Sequence, residues 1–78
     1  MMLTPREAEV ARLIACGLPD REIGNQLSIK RSTVRFYIDN ILGKTGLGNR
    51  VEIAVWVFRH GLMSVDDAWK GITHVARS

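Results

Sequence analysis

Five cations crowd one stretch of the chain. Lys30, Arg31, Arg35, Lys44 and Arg50 stand against the single acid Asp39, so residues 30–50 carry 5 − 1 = +4. The remainder has six basic and seven acidic side chains, so the whole net charge of +3 originates in that stretch. A guanidinium offers paired N–H donors that match guanine O6 and N7, or two oxygens of one phosphate. An ammonium acts on phosphate as a point charge and releases counterions. Ser32 and Thr33 add hydroxyls, Asn40 an amide, and Phe36 an apolar ring beside Arg35 that suits a thymine methyl. The chemistry on offer is recognition of a polyanion. A solvated helix face would give the same charge count, so charge alone does not decide.

Other chemistry finds little support. His60 and His74 have no metal-type spacing to Cys16, and no glycine-rich phosphate loop is present. Asp66-Asp67 is more simply a helix start than a catalytic pair. We therefore expect no enzyme activity, no cofactor, no metal and no small-molecule ligand within this chain. With 78 residues, 46% hydrophobic and 24% charged, the chain suits one soluble domain with a modest core. The single cysteine, Cys16, lies in an apolar stretch and is expected to pack, in a reducing cytoplasm. No apolar run approaches the ~18 to 20 residues of a membrane span, and no signal peptide is visible, so no membrane partner is expected.

The elements that must position the cations can be delimited from local signals. Thr4-Pro5-Arg6-Glu7 offers a capping residue, a proline at the first helical position and a capping-box glutamate. Gly17 ends that helix, giving α1 over residues 5–16. A short second helix, residues 20–27, carries the apolar pair Ile23 and Leu27; Asp20 is expected to take over the capping that Pro19 cannot perform. A third spans 31–45, with Val34, Ile38, Ile41 and Leu42 inward and Arg31, Ser32, Arg35, Phe36, Asp39 and Gly43 on the other side. A fourth, 49–60, is apolar nearly all round from Val51 to Phe58, so a second protein surface is expected to cover its outer face. Ser64 with Asp66 and Asp67 starts a short fifth helix over about 65–76. The fold class is all-α, and no strand is expected.

Residues 22–34 have the steric pattern of a helix-turn-helix. Gly24 leaves room where the second backbone comes close, Ser28 takes the turn, and Val34 plugs the second helix into the first. Glycine would accept a positive φ at Ser28 more cheaply. The matching stretches extend well beyond this core. They are Leu3-Thr4-Pro5-Arg6-Glu7, Glu9-Val10, Ile14-Ala15, Gly17-Leu18, Glu22-Ile23, Leu27-Ser28-Ile29, Ser32-Thr33-Val34-Arg35, Asn40-Ile41, Lys44, Arg50 and Arg59-His60-Gly61-Leu62. On these, the sequence resembles the LuxR-type (GerE-like) DNA-binding domains, without a gap over about residues 3–62.

The resemblance implies a compact four-helix domain over residues 1–62, a C-terminal extension over 63–78, and transcription regulation. It implies that the third helix reads the major groove of double-stranded DNA and that a homodimer forms through the fourth. Arg31 and Arg35 are candidates for guanine, with a phosphate grip equally open. Lys30, Ser32, Thr33 and Lys44 suit the DNA backbone; Thr33 could equally be a first-turn structural residue. Asn40 suits a base or a phosphate, and Arg21 a phosphate. Arg50 resembles a family arginine at the start of the fourth helix, where an ion pair and a phosphate contact are both open. Lys30 stands where the family usually has a capping serine or threonine, a loss of about 1 kcal/mol to folding that suits binding. Family positions matching Ile53, Ala54, Val57 and Leu62 pack inward, which leaves Val51, Val55 and Trp56 for the dimer contact. A monomer with Trp56 covered by residues 65–76 is the alternative. The rival function is a protein-interaction module on the same scaffold, working through the fourth helix and the tail.

Overall fold

Two reciprocal hydrogen bonds start the first helix of the computed structural model, which describes residues 3–70. Thr4 Oγ1 accepts from the Glu7 N–H at 3.1 Å, and Glu7 Oε1 accepts from the Thr4 N–H at 2.9 Å. With Pro5 in the first turn, this is the capping box the sequence implied. Helix α1 runs Pro5–Ala15 and ends through Gly17 at φ 83°, where the Leu18 N–H turns back to the Leu13 carbonyl. Helices α2 (Asp20–Leu27), α3 (Arg31–Thr45) and α4 (Arg50–Arg59) follow. Asn49 and His60, expected inside the fourth helix, are its caps; the Asn49 side chain accepts from the Glu52 N–H. Residues 65–70 form a short helix, α5, which Ser64 caps by accepting from the Asp67 N–H at 3.1 Å. The expected continuation of α5 to residue 76 lies outside the described residues. Among the described residues there is no strand.

One expectation about α2 is corrected. No side chain caps this helix, because Asp20 sits inside its first turn and turns toward two arginines instead.

The core collects one stripe from each helix. Val10 and Ala11 of α1, Ile23 of α2, Val34 and Ile41 of α3, and Ile53 and Val57 of α4 are wholly buried. Burying each valine or isoleucine is worth roughly 1.5–3 kcal/mol. Helix α1 lies against both α3 and α4, and α2 lies on α3. The described part of the C-terminal extension also reaches the core: Ala68 is buried, and Met63 packs beside Cys16, their sulfurs 3.7 Å apart. No described helix is long and apolar enough to cross a membrane.

The joint between α2 and α3 fixes the direction of α3. A Cβ at Gly24 would lie 2.8 Å from the Ile29 carbonyl oxygen, so only glycine lets the turn come this close. The Ile29 N–H donates to the Gly24 carbonyl at 2.9 Å, and Ser28 adopts φ 57°, ψ 43°. Val34 is wholly buried and sits over the same glycine.

Candidate nucleic-acid interface

Anchoring one side of α3 leaves the other side open. Val34, Ile38 and Ile41 are buried, while Lys30, Arg31, Ser32, Arg35 and Phe36 are exposed. Arg31 and Arg35 are one helical turn apart, so their guanidinium groups leave the same face. Phe36 is 61% exposed, and its ring forms an edge-to-face pair with the Tyr37 ring, with centroids 6.0 Å apart. Thr33 and Asn40 are half-buried at the margins of this face. Lys30 precedes the helix with no side-chain cap, and no acid occupies the first turn. The amide end of α3 and three cations therefore face outward together, a favourable setting for a phosphate.

Three cations of the charged stretch have internal partners, Lys44 and Arg50 through hydrogen bonds and Arg35 through a longer ion pair. Lys44 Nζ lies 2.8 Å from Glu7 Oε1, and Glu7 is only 3% exposed. The Lys44 hydrogen bond, then the Thr4 N–H, holds the Glu7 carboxyl below the ordinary range against the opposing effect of burial. Arg50 donates through Nη1 to Asp20 Oδ1 at 2.7 Å and through Nη2 to the Leu18 carbonyl at 3.0 Å. Of the two roles open for Arg50, the ion pair is present in the unbound chain.

The other oxygen of Asp20 faces Arg35, with Nη1 3.6 Å from Oδ2. Burial pushes the Asp20 carboxyl upward; the Arg50 hydrogen bond and charge, with Arg35 and Arg31 behind them, outweigh this and hold it below the ordinary range. Sequence reasoning missed Asp20 as a link between α2, α3 and α4. Its partners lie 15 and 30 residues away, beyond any helical spacing, so no local signal marks them.

On α4, Val51 is 68% and Val55 52% exposed, four residues apart on one face. Trp56 is half-buried and stacks on the His60 ring, with centroids 4.4 Å apart and planes inclined by 30°. These side chains border a surface groove of about 500 Å³ together with Leu47, Glu52 and Arg59.

A helix-turn-helix that turns arginines outward from its second helix defines a class, the DNA-binding domain. Within that class, the bacterial regulatory proteins of the luxR family match over residues 1–57, and the chain belongs to that family. It is 49% identical over 55 residues to the nitrate/nitrite response regulator protein NarL of Escherichia coli (strain K12), covering 70% of this chain and 26% of that protein. Identity is 42% over 62 residues with the transcriptional regulatory protein LiaR of Bacillus subtilis (strain 168), covering 80% and 29%. With the transcriptional regulatory protein DesR of the same organism it is 52% over 50 residues, covering 64% and 25%. The chain spans about a quarter of the length of these curated relatives. The domain is a LuxR-type helix-turn-helix DNA-binding domain of transcription regulators, a non-enzymatic family.

Proposed function

We propose that this domain binds double-stranded DNA sequence-specifically, with α3 lying in the major groove, and works in the bacterial cytoplasm as a homodimer joined through α4. The observation that carries the reading is the division of α3 into a wholly anchored apolar stripe and an open face with Arg31 and Arg35 one turn apart. The major groove of B-DNA, about 12 Å wide, admits a helix, and its guanine edges accept bidentate arginine. Arg31 and Arg35 take the base contacts, and Phe36 lies against a thymine methyl. Lys30, Ser32, Thr33 and Asn40 hold the backbone. Lys44 and Arg50 add charge to the field and keep α3 in place. Val51, Val55 and Trp56 meet a second copy.

Enrichment from a random duplex pool, followed by anisotropy titration over a range of salt, tests the reading. The wild-type chain should enrich a defined sequence and lose affinity steeply with salt. Arg31→Gln or Arg35→Gln should cost about 5- to 150-fold on the enriched duplex and relax the preference at one position. Unmoved amide resonances for residues 30–44 on adding DNA at low salt would overturn it. The exposed valines of α4 favour one second reading, docking of a different protein. Under it, Arg35→Glu would leave partner binding intact and DNA would have no effect.

A further inference from the structure

Asp20 and Glu7 are the buried acids among the described residues, and Asp20 alone reaches the open face of α3. Its carboxylate is fixed from behind. Arg50 holds Oδ1 with one nitrogen and the Leu18 carbonyl with another, so neither the guanidinium nor the carboxylate can turn freely. The remaining oxygen points at Arg35. At 3.6 Å that contact is an ion pair, too long for a hydrogen bond, and Arg35 is 56% exposed where Asp20 is 9%. A rigid anion thus presents one edge to an exposed, rotatable cation.

We infer that Asp20 is a positioning residue for DNA reading: it holds the Arg35 guanidinium to one side of α3 and offsets its charge, so that Arg35 must leave it in order to contact DNA. The inference rests on the proposal that α3 reads DNA. Magnitudes decide how the competition runs. A long ion pair with one exposed, rotatable partner favours its closed state by about 1.4- to 5-fold. A bidentate guanine contact discriminates by about 5- to 150-fold, so it draws Arg35 away from Asp20. A lone phosphate contact at moderate salt is comparable with the ion pair and draws Arg35 away only part of the time. A contact that displaces the ion pair completely bears its whole cost and one that displaces it in part bears less, so Asp20 weakens binding to the right site by up to that factor and binding to arbitrary DNA by less.

Asp20→Asn tests this, since the asparagine oxygen can still accept from Arg50. Two probes are needed: sheared mixed-sequence duplex, and the duplex that the wild-type chain enriches from a random pool. Asp20→Asn should tighten binding to the enriched duplex by about 1.4- to 5-fold and binding to mixed DNA by less, so that the preference for the enriched duplex rises. Its salt dependence on mixed DNA should steepen by up to about 0.9, the limit set by one further phosphate. In an Arg35→Gln background the same substitution should change none of these. Equal effects with and without Arg35 would overturn the inference, because the carboxylate would then act as a general charge or a structural tie. So would unchanged discrimination and slope in a folded Asp20→Asn chain.

Nitrogen relaxation of the arginine Nε groups in the unbound wild type gives a readout if the variant does not fold. Arg35 should be more ordered than Arg31, which no carboxylate approaches within 4.0 Å among the described residues. Equal order for the two overturns the inference. A wild-type chain that enriches no sequence at all would instead remove the DNA-reading proposal, and with it this role for Asp20.

Discussion

Lys44, in the last turn of α3, places its ammonium 2.8 Å from the carboxylate of Glu7 in the first turn of α1. Glu7 also closes the capping box on Thr4, so one carboxylate secures the start of α1 and the end of α3 together. The sign of Lys44 suits a phosphate, but its partner makes it first a structural residue.

Lys44→Met should therefore act on stability. It leaves a buried carboxylate with only the Thr4 N–H, a loss of about 1–3 kcal/mol. Urea denaturation checks the size. Anisotropy with mixed-sequence DNA separates the roles: a structural Lys44 leaves the salt slope unchanged in the folded variant, whereas a phosphate contact would lower it by about 0.9.

Acid should unfold the domain through the same carboxylates. Glu7 is held below its ordinary 4.5 chiefly by Lys44, and Asp20 below 3.8 because Arg50 and its neighbours outweigh burial. In the window beneath those ordinary values the unfolded chain binds more protons than the folded one, so stability rises with pH there. It is fully present above about pH 4.5 and is lost as pH falls through the lowered folded values. Thermal melts from pH 7 to 2.5 should show this fall, and Glu7→Gln should make it shallower. Parallel curves for the two proteins would contradict the assignment.

The turn before α3 gives a pair of opposite substitutions. Gly24→Ala places a methyl 2.8 Å from the backbone oxygen of Ile29, which cannot swing aside as a side chain does. The turn must shift, at a cost of about 1–3 kcal/mol. Ser28→Gly relieves a positive φ of 57° and should stabilise the fold by up to about 1 kcal/mol. Opposite shifts of the melting temperature are the expected result; two losses would mean that the Ser28 hydroxyl contributes more than its backbone strain.

These cases separate what the sequence could reveal from what it could not. Thr4 and Glu7 cap each other across three residues, and Gly24, Ser28 and Val34 stand at spacings that a tight joint demands; such constraints are local and leave a pattern. The apolar stripe of α3 likewise follows from helical periodicity. The ion pairs do not. Glu7 and Lys44 are 37 residues apart, Asp20 and Arg50 are 30 apart, and only the packing of α1, α2 and α4 around α3 brings them together. From charge alone, Lys44 looks the same as Lys30, which has no ion pair among the described residues. The C-terminal extension was legible as a capped helix start at Ser64 with Val65, Ala68 and Trp69 at helical spacing, but that spacing did not say which of them reaches the core: Ala68 is buried, whereas Val65 and Trp69 are exposed.

Val55→Glu tests the proposed dimer most directly. Val51 and Val55 project from α4, 68% and 52% exposed, while Ile53 and Val57 on the opposite side are wholly buried. A charge at position 55 therefore leaves the core alone, and stability should stay within about 0.5 kcal/mol of wild type. In a pairing related by a two-fold axis the same patch meets itself, so each protomer's substitution faces its partner's and the effect is doubled. The groove carries Glu52 near one end of α4 and Arg59 near the other, and an antiparallel pairing of two copies can bring these opposite charges together across the contact. Sedimentation equilibrium should show the wild type associating with concentration and Val55→Glu remaining monomeric. On DNA bearing two half-sites, Val55→Glu should lose cooperativity yet keep wild-type affinity for one half-site, because α3 is untouched. An unchanged association constant would move the contact away from this face of α4. A fall in single-site affinity would show instead that α4 supports α3, leaving the exposed valines without a second copy to cover them.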